Sequence, residues 1–319
     1  MSNPTVVIKS GRLEGLTKKG VHIFKGIPYA KPPVGNLRWR PPQPVDKWTG
    51  TFKAHKFGAI AMQRQMEMAD FVHNLVRGQG FGRVKQWAFL TVMKLLRLNE
   101  SEDCLWLNVR TPDLKPDEKL PVMVFIHGGA HQDGGSHEPL YDGNALPQKD
   151  VVLVTINYRL GLFGFMAHPD LSTESEHGVS GNYGMLDQIL ALKWVRENIA
   201  QFGGDRNNVT IFGESAGGES VIQLYCSPEA HGLFHKAIAQ SPASGGQFSF
   251  LKKPFKWHKS SEQYGIDFAN RAGATGPNQV QQLRKMTAEE LQKIVKEGYA
   301  SAGNFYPVVD GPYQPKPTF

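Results

Sequence analysis

Five consecutive residues, Gly213-Glu214-Ser215-Ala216-Gly217, match the pattern G-x-S-x-G. Glycine and serine are common, so the weight of this match comes from its setting. An apolar run, Asn208-Val209-Thr210-Ile211-Phe212, leads straight into it, and Gly218 to Tyr225 leads out with the character of a helix. A turn that tight between a strand and a helix forces the serine backbone into a strained conformation. Gly213 and Gly217 leave space where a Cβ would clash, while Glu214 fills the free position of the elbow. The strain pushes the Ser215 Oγ clear of the backbone, toward a base and a substrate carbonyl. The chemistry this permits is nucleophilic attack in acyl transfer.

Acyl transfer also needs hydrogen-bond donors aimed at the oxygen that becomes negative. The amide of Ala216, directly after the serine and at a helix N-terminus, is one such donor. A second source is the turn His127-Gly128-Gly129-Ala130, which follows the apolar run Val122 to Ile126. Glycine lets backbone approach a substrate without an intervening side chain. An alanine at the end of the turn still offers its N–H.

The elements that must hold these residues follow an α/β rhythm. Leu105 to Val109, Pro121 to His127, Asp150 to Tyr158, Asn208 to Gly213 and Lys236 to Ser241 read as strands. The nearly all-apolar ones are those expected when helices cover both faces of a sheet. Between them, Leu186, Ile189, Leu190, Leu192, Val195 and Ile199 recur with a near-helical period, predicting a helix from about Met185 to Phe202 that Gly203-Gly204 stops. Alternation of this kind predicts a mostly parallel, doubly wound sheet flanked by helices. The segment from Thr5 to Gly26 reads as short strands and turns. Lys252 to Gly298 reads as helical and polar, and Phe305 to Tyr313 as loop-like.

Composition narrows the function classes. The 319 residues carry a formal charge of +7 with lysine and arginine scattered and no basic run of five, which argues for solubility and against a nucleic-acid footprint. No stretch approaches 18 apolar residues, so no membrane span is expected. The first residues, Met1 to Ile8, lack the pattern of a secretory leader, and a cytoplasmic location is expected. Cys104 and Cys226 are expected to be two reduced, packed thiols. There is neither a zinc-spaced His/Cys cluster nor a phosphate-binding glycine loop, so no metal and no organic cofactor is expected.

Further stretches carry a resemblance. They are Phe24-Lys25-Gly26-Ile27-Pro28-Tyr29-Ala30, Ser101-Glu102-Asp103-Cys104-Leu105-Trp106-Leu107-Asn108-Val109, Asn157-Tyr158-Arg159-Leu160-Gly161 and Gly181-Asn182-Tyr183-Gly184-Met185-Leu186-Asp187-Gln188, in order with the elbow. With them the sequence resembles the type-B carboxylesterases, closest in motif to bacterial p-nitrobenzyl-type esterases. The resemblance implies an α/β-hydrolase fold as a single domain over residues 1–319. It also implies a serine ester hydrolase that passes through an acyl-enzyme and acts on a small carboxylic ester. Gly129, Ala130 and Ala216 would donate to the oxyanion. Arg38 with Glu102, and Arg159 with Asp187, would be structural ion pairs. In secreted members the cysteine matching Cys104 pairs with an earlier one, and the matching region Ala61-Met62-Gln63 has none.

The triad of this fold runs Ser, acid, His, and the resemblance places the acid and the His beyond Phe319. On that reading the domain is C-terminally incomplete and lacks its last strands. The isolated chain is then expected to be aggregation-prone and nearly inactive. The histidines after Ser215 do not read as substitutes. His231 and His235 approach the N-terminal end of a strand, whereas sites in α/β sheets lie at the C-terminal ends. His258 lies in a basic, solvated segment, and Asp310 reads as a turn residue. Residues 66–99 are a variable insert whose apolar and basic positions predict two amphipathic helices and a candidate lid, or a hairpin simply packed on the body. The competing functional class is a non-catalytic binding or adhesion protein of the same fold, against which the retained Ser215 argues.

Overall fold

The computed structural model describes residues 3–63, 99–115, 117–138, 141, 143–242, 249–256, 258–298 and 305–316, with positions 82, 84–85, 87–88 and 91. Apart from those isolated positions, the expected insert at 66–99 and its lid role lie outside the described residues.

Among the described residues, seven strands form the central sheet. Their order is Lys236–Gln240, Gly204–Glu214, Leu120–Ile126, Val152–Ile156, Trp106–Thr111, Val21–Pro28 and Leu16–Lys18. The first three neighbour pairs are parallel. The other three are antiparallel. The expected mostly parallel sheet is therefore mixed among the described strands. The half that carries the serine pairs its strands in parallel, while the half built from Val152–Ile156, Trp106–Thr111, Val21–Pro28 and Leu16–Lys18 pairs them antiparallel. A second, three-stranded sheet packs Thr5–Ile8, Gly11–Glu14 and Thr51–Lys53.

Sequence dictates the core of the parallel half. Val122, Val124, Ile126, Val152, Val154 and Ile156 are fully buried, and each such side chain stabilises the fold by roughly 1.5–3 kcal/mol. The predicted helix is present as Tyr183–Asn198, continued by a 3₁₀ turn, Ile199–Phe202. It ends where expected, because Gly203 takes the left-handed φ of +80°. Its Met185, Ile189, Leu192 and Val195 pack into the sheet's core.

The polar-looking region after Lys252 forms helices Ser261–Arg271, Gln279–Arg284 and Ala288–Gly298. Their apolar faces, Phe268, Val280, Leu283, Leu291 and Val295, build a second core with Trp39, Leu162, Phe163 and Phe165. The tail expected to be loop-like contains a short strand, Val308–Val309, paired with Ser249–Phe250. Asn182 fixes it there: its Nδ2 donates to Val308 O at 2.7 Å and its Oδ1 accepts from Val308 N at 2.9 Å. Local composition does not contain that clamp.

Both cysteines are free, but only Cys104 is packed; Cys226 ends its helix exposed, so the expectation of two buried thiols fails for it. Among the described residues no helix is long and apolar enough to cross a membrane. Lys236–Gln240 is an edge strand among the described residues, and all five of its positions are exposed.

Candidate active site

Strand Gly204–Glu214 ends directly at Ser215, and helix Ala216–Cys226 begins directly after it. Ser215 has φ +55° and ψ −123°, a conformation that residues with a Cβ avoid. Two backbone bonds hold it there. Ser215 N donates to Gln240 O at 2.9 Å, and Glu219 N donates to Ser215 O at 3.0 Å. The glycines of the elbow are required by contact. A Cβ on Gly213 would lie 2.5 Å from the carbonyl carbon and oxygen of Gly217 and 2.7 Å from Ile126 O. A Cβ on Gly217 would overlap Ile126 O and sit 3.0 Å from the carbonyl of His127. The helix start is thus pressed onto the end of the neighbouring strand.

That strand, Leu120–Ile126, delivers the glycine turn to the same place. A Cβ on Gly128 would stand 2.6 Å from Glu214 O and 3.3 Å from the Ser215 Cβ, so the turn lies against the nucleophile elbow. The backbone then passes through three left-handed positions in succession: Gly129 at φ +102°, Ala130 at +55° and His131 at +56°. Gly129 O accepts from the amides of Gln132 and Asp133 at 2.9 and 3.0 Å, closing the turn. Among the described residues no acceptor is paired with the amides of Gly129, Ala130 or Ala216.

Below the turn, the His127 ring is buried and stacked on Tyr158 at 4.6 Å, with its Nδ1 donating to Gly128 O at 2.8 Å. Burial lowers its pKa to about 4, so the ring is neutral at ordinary pH. Tyr158 donates to His127 O at 2.9 Å. Glu138 borders the same region, and burial, reinforced by the charge of Asp133, raises its pKa to about 7.

The two expected ion pairs form, and neither has a hydrogen bond to Ser215 among the described residues. Arg38 Nε and Nη2 each lie 2.6 Å from a Glu102 carboxylate oxygen, and Arg38 Nη1 donates to Leu283 O and Met286 O. Arg159 Nε and Nη2 reach the two oxygens of Asp187 at 2.8 and 2.7 Å, and Arg159 N adds a third bond to that carboxylate. Both pairs are bidentate, the geometrically specific form of the charge-assisted hydrogen bond, and Arg159 with Asp187 ties the segment after strand Val152–Ile156 to helix Tyr183–Asn198.

The histidines after Ser215 are elsewhere. His235 Nδ1 accepts from Val209 N at the start of the edge strand, whereas Ser215 touches Gln240 at the strand's far end. Those ends are roughly 15 Å apart at the rise of an extended chain. His231 is exposed, and His258 closes a local backbone bridge with Phe255. Asp310 sits in a turn as expected, with its Oδ1 accepting from the amides of Tyr313 and Gln314. Among the described residues no group of three or more His, Cys, Asp or Glu is arranged to hold a metal ion. One pair the sequence reading missed is His131 with Glu219, in contact at 3.4 Å. Its only sequence signals were a histidine directly after the glycine turn and an acid one helical turn after the serine.

The model of the carboxylesterase family matches residues 2–318. The chain belongs to the carboxylesterase family. It is 40% identical over 311 residues to the fumonisin B1 esterase of Sphingopyxis macrogoltabida, covering 95% of this chain and 50% of that protein. It is 47% identical over 245 residues to the para-nitrobenzyl esterase of Bacillus subtilis, covering 76% of this chain and 45% of that one. Among solved structures, a PNB esterase superposes with a TM-score of 0.79 at 38% identity, covering 99% of this chain and 59% of that chain. A carboxylesterase of Geobacillus stearothermophilus gives 0.77 at 36% identity, covering 98% and 58%. These neighbours have the α/β-hydrolase fold, which is the fold of this chain. The chain spans about half the length of the curated carboxylesterases it matches.

Proposed function

We propose that this carboxylesterase-family chain carries the nucleophile and oxyanion hole of a serine ester hydrolase acting on small carboxylic esters. The observation that carries the reading is the meeting of two strained motifs. Ser215 is held at φ +55°, and the left-handed Gly129–His131 turn lies against it with its amides free of protein acceptors among the described residues. Ser215 Oγ adds to the ester carbonyl carbon while a general base takes its proton. The amides of Gly129, Ala130 and Ala216 donate to the oxygen as it becomes negative. Collapse returns the proton to the leaving alcohol and leaves an acyl group on Ser215, which water removes. Arg38, Glu102, Arg159 and Asp187 act as structural braces in this reading, and residues 1–319 belong to a single α/β-hydrolase domain of which they are a part. Retention of the strained serine favours hydrolysis over a binding role. The two free thiols accord with a reducing compartment such as the cytoplasm.

The test is covalent. A fluorophosphonate probe should label the chain on a single peptide containing Ser215, and Ser215→Ala should abolish the label. Labelling that survives Ser215→Ala, or that falls on a different peptide, refutes the assignment.

A further inference from the structure

His131 and Glu219 flank the proposed site, and the acyl-transfer steps above use neither. His131 is wholly buried and ringed by Phe165, Tyr306 and Tyr158 at 5.3, 6.3 and 6.4 Å, all edge-on. Neither of its ring nitrogens makes a hydrogen bond among the described residues. Its Nε2 lies 3.4 Å from Glu219 Oε2, a polar contact outside hydrogen-bond geometry. Glu219 is itself only 8% exposed. A buried imidazole and a buried carboxylate are each costly alone and compensate each other when adjacent.

Each partner is anchored to one half of the site. Glu219 donates its amide to Ser215 O, one helical turn back. His131 is joined to Ala130, and its own carbonyl accepts from Gly161 N at 2.7 Å. Ala130 and His131 both hold a left-handed φ. Residues with a Cβ keep that conformation only where their surroundings impose it. The Nε2–Oε2 contact is the side-chain link that joins the second of them to the nucleophile helix.

We propose that His131 and Glu219 are a positioning pair that ties the oxyanion turn to the nucleophile helix. The pair holds the Gly129 and Ala130 amides in register with Ser215 Oγ; its catalytic consequence rests on Ser215 being the nucleophile. His131→Phe keeps a ring within the aromatic surround and removes both nitrogens. Glu219→Gln keeps shape and removes the charge. Each variant and the double are made in the full chain. Amide hydrogen exchange over residues 127–134 should quicken about tenfold in each, with Val152–Ile156 unchanged. Phosphonylation of Ser215 should slow about tenfold, less than the loss of a hole donor outright. That loss should lie in the maximal rate and leave the probe's saturation constant unchanged, and the double variant should be no slower than either single one. Native exchange in both variants overturns the pairing, and so does faster exchange that spreads to the core strands. Additive losses in the double overturn it too. The exchange measurement decides the pair whether or not the native chain reacts, and a label that falls on a residue other than Ser215 refutes the nucleophile reading separately.

Discussion

Gly213→Ala is the sharpest perturbation of the elbow, because the glycine's φ is ordinary and the substitution adds only volume. The new Cβ would lie 2.5 Å from two backbone atoms of Gly217 and 2.7 Å from Ile126 O, where ordinary contact begins at 3.4 Å. None of these atoms is the tip of a flexible side chain. Relief therefore requires the helix start and the strand end to separate by about 0.9 Å, with Ser215 between them. Overpacking of this kind costs roughly 1–3 kcal/mol, or a melting temperature lower by roughly 2–10 °C in a domain this large. A displacement near 1 Å at a reacting group costs about 100-fold in rate. The assay pairs thermal unfolding with the rate of fluorophosphonate labelling. Gly143→Ala is the control, since the nearest atom to its added Cβ is Ala145 N at 4.0 Å. If Gly213→Ala melts and labels like the native chain, the steric account of the elbow is wrong. If it melts lower yet labels at the native rate, packing and positioning are separate, and the second half of the reasoning fails.

Two further predictions rest on ionisation and exposure. Glu138 has a pKa of about 7 in the folded chain against an ordinary 4.5, so the folded state holds a proton the unfolded state releases, and stability is lost as pH rises through that window. His127 has a pKa of about 4 against 6.5, so its contribution is lost as pH falls through that window. The two slopes oppose each other in their overlap. In denaturant titrations, Glu138→Gln should gain on the native chain as pH rises from 4.5 to 7, by up to about 3 kcal/mol. A pH-independent difference contradicts this. Separately, Cys226 is exposed, while burial, and then the charge of Asp187, pushes the Cys104 thiol up. Iodoacetamide at pH 8 should modify Cys226 in the folded chain and reach Cys104 only after denaturation. Equal rates by peptide mass mapping would contradict the burial.

The elbow was legible because its constraint is local. A serine forced to a positive φ between a strand and a helix needs small neighbours, and Gly213 and Gly217 stand beside it in the chain. The helix Tyr183–Asn198 and its glycine stop were legible for the same reason: periodicity and a left-handed cap are written in adjacent residues. The partners of Arg38 and Arg159 came from family resemblance, since nothing in the spacing of Arg38 and Glu102 announces a bond. The antiparallel half of the sheet was not legible, because an apolar run marks a strand without stating which way its neighbour in the sheet runs. Cys226 was misjudged because a helix end can face solvent whatever its residue type.

By itself, then, the sequence determined a nucleophile elbow, a glycine turn and the alternating elements that feed them. Only the tertiary structure decided that Gly128 lies against Ser215, that Ala130 and His131 both turn left-handed, and that His131 meets Glu219 in a closed aromatic surround. The physical reason is the reach of each constraint. Backbone strain and hydrophobic period act between neighbours in the chain, whereas the compensation of two buried polar groups depends on how distant segments happen to pack.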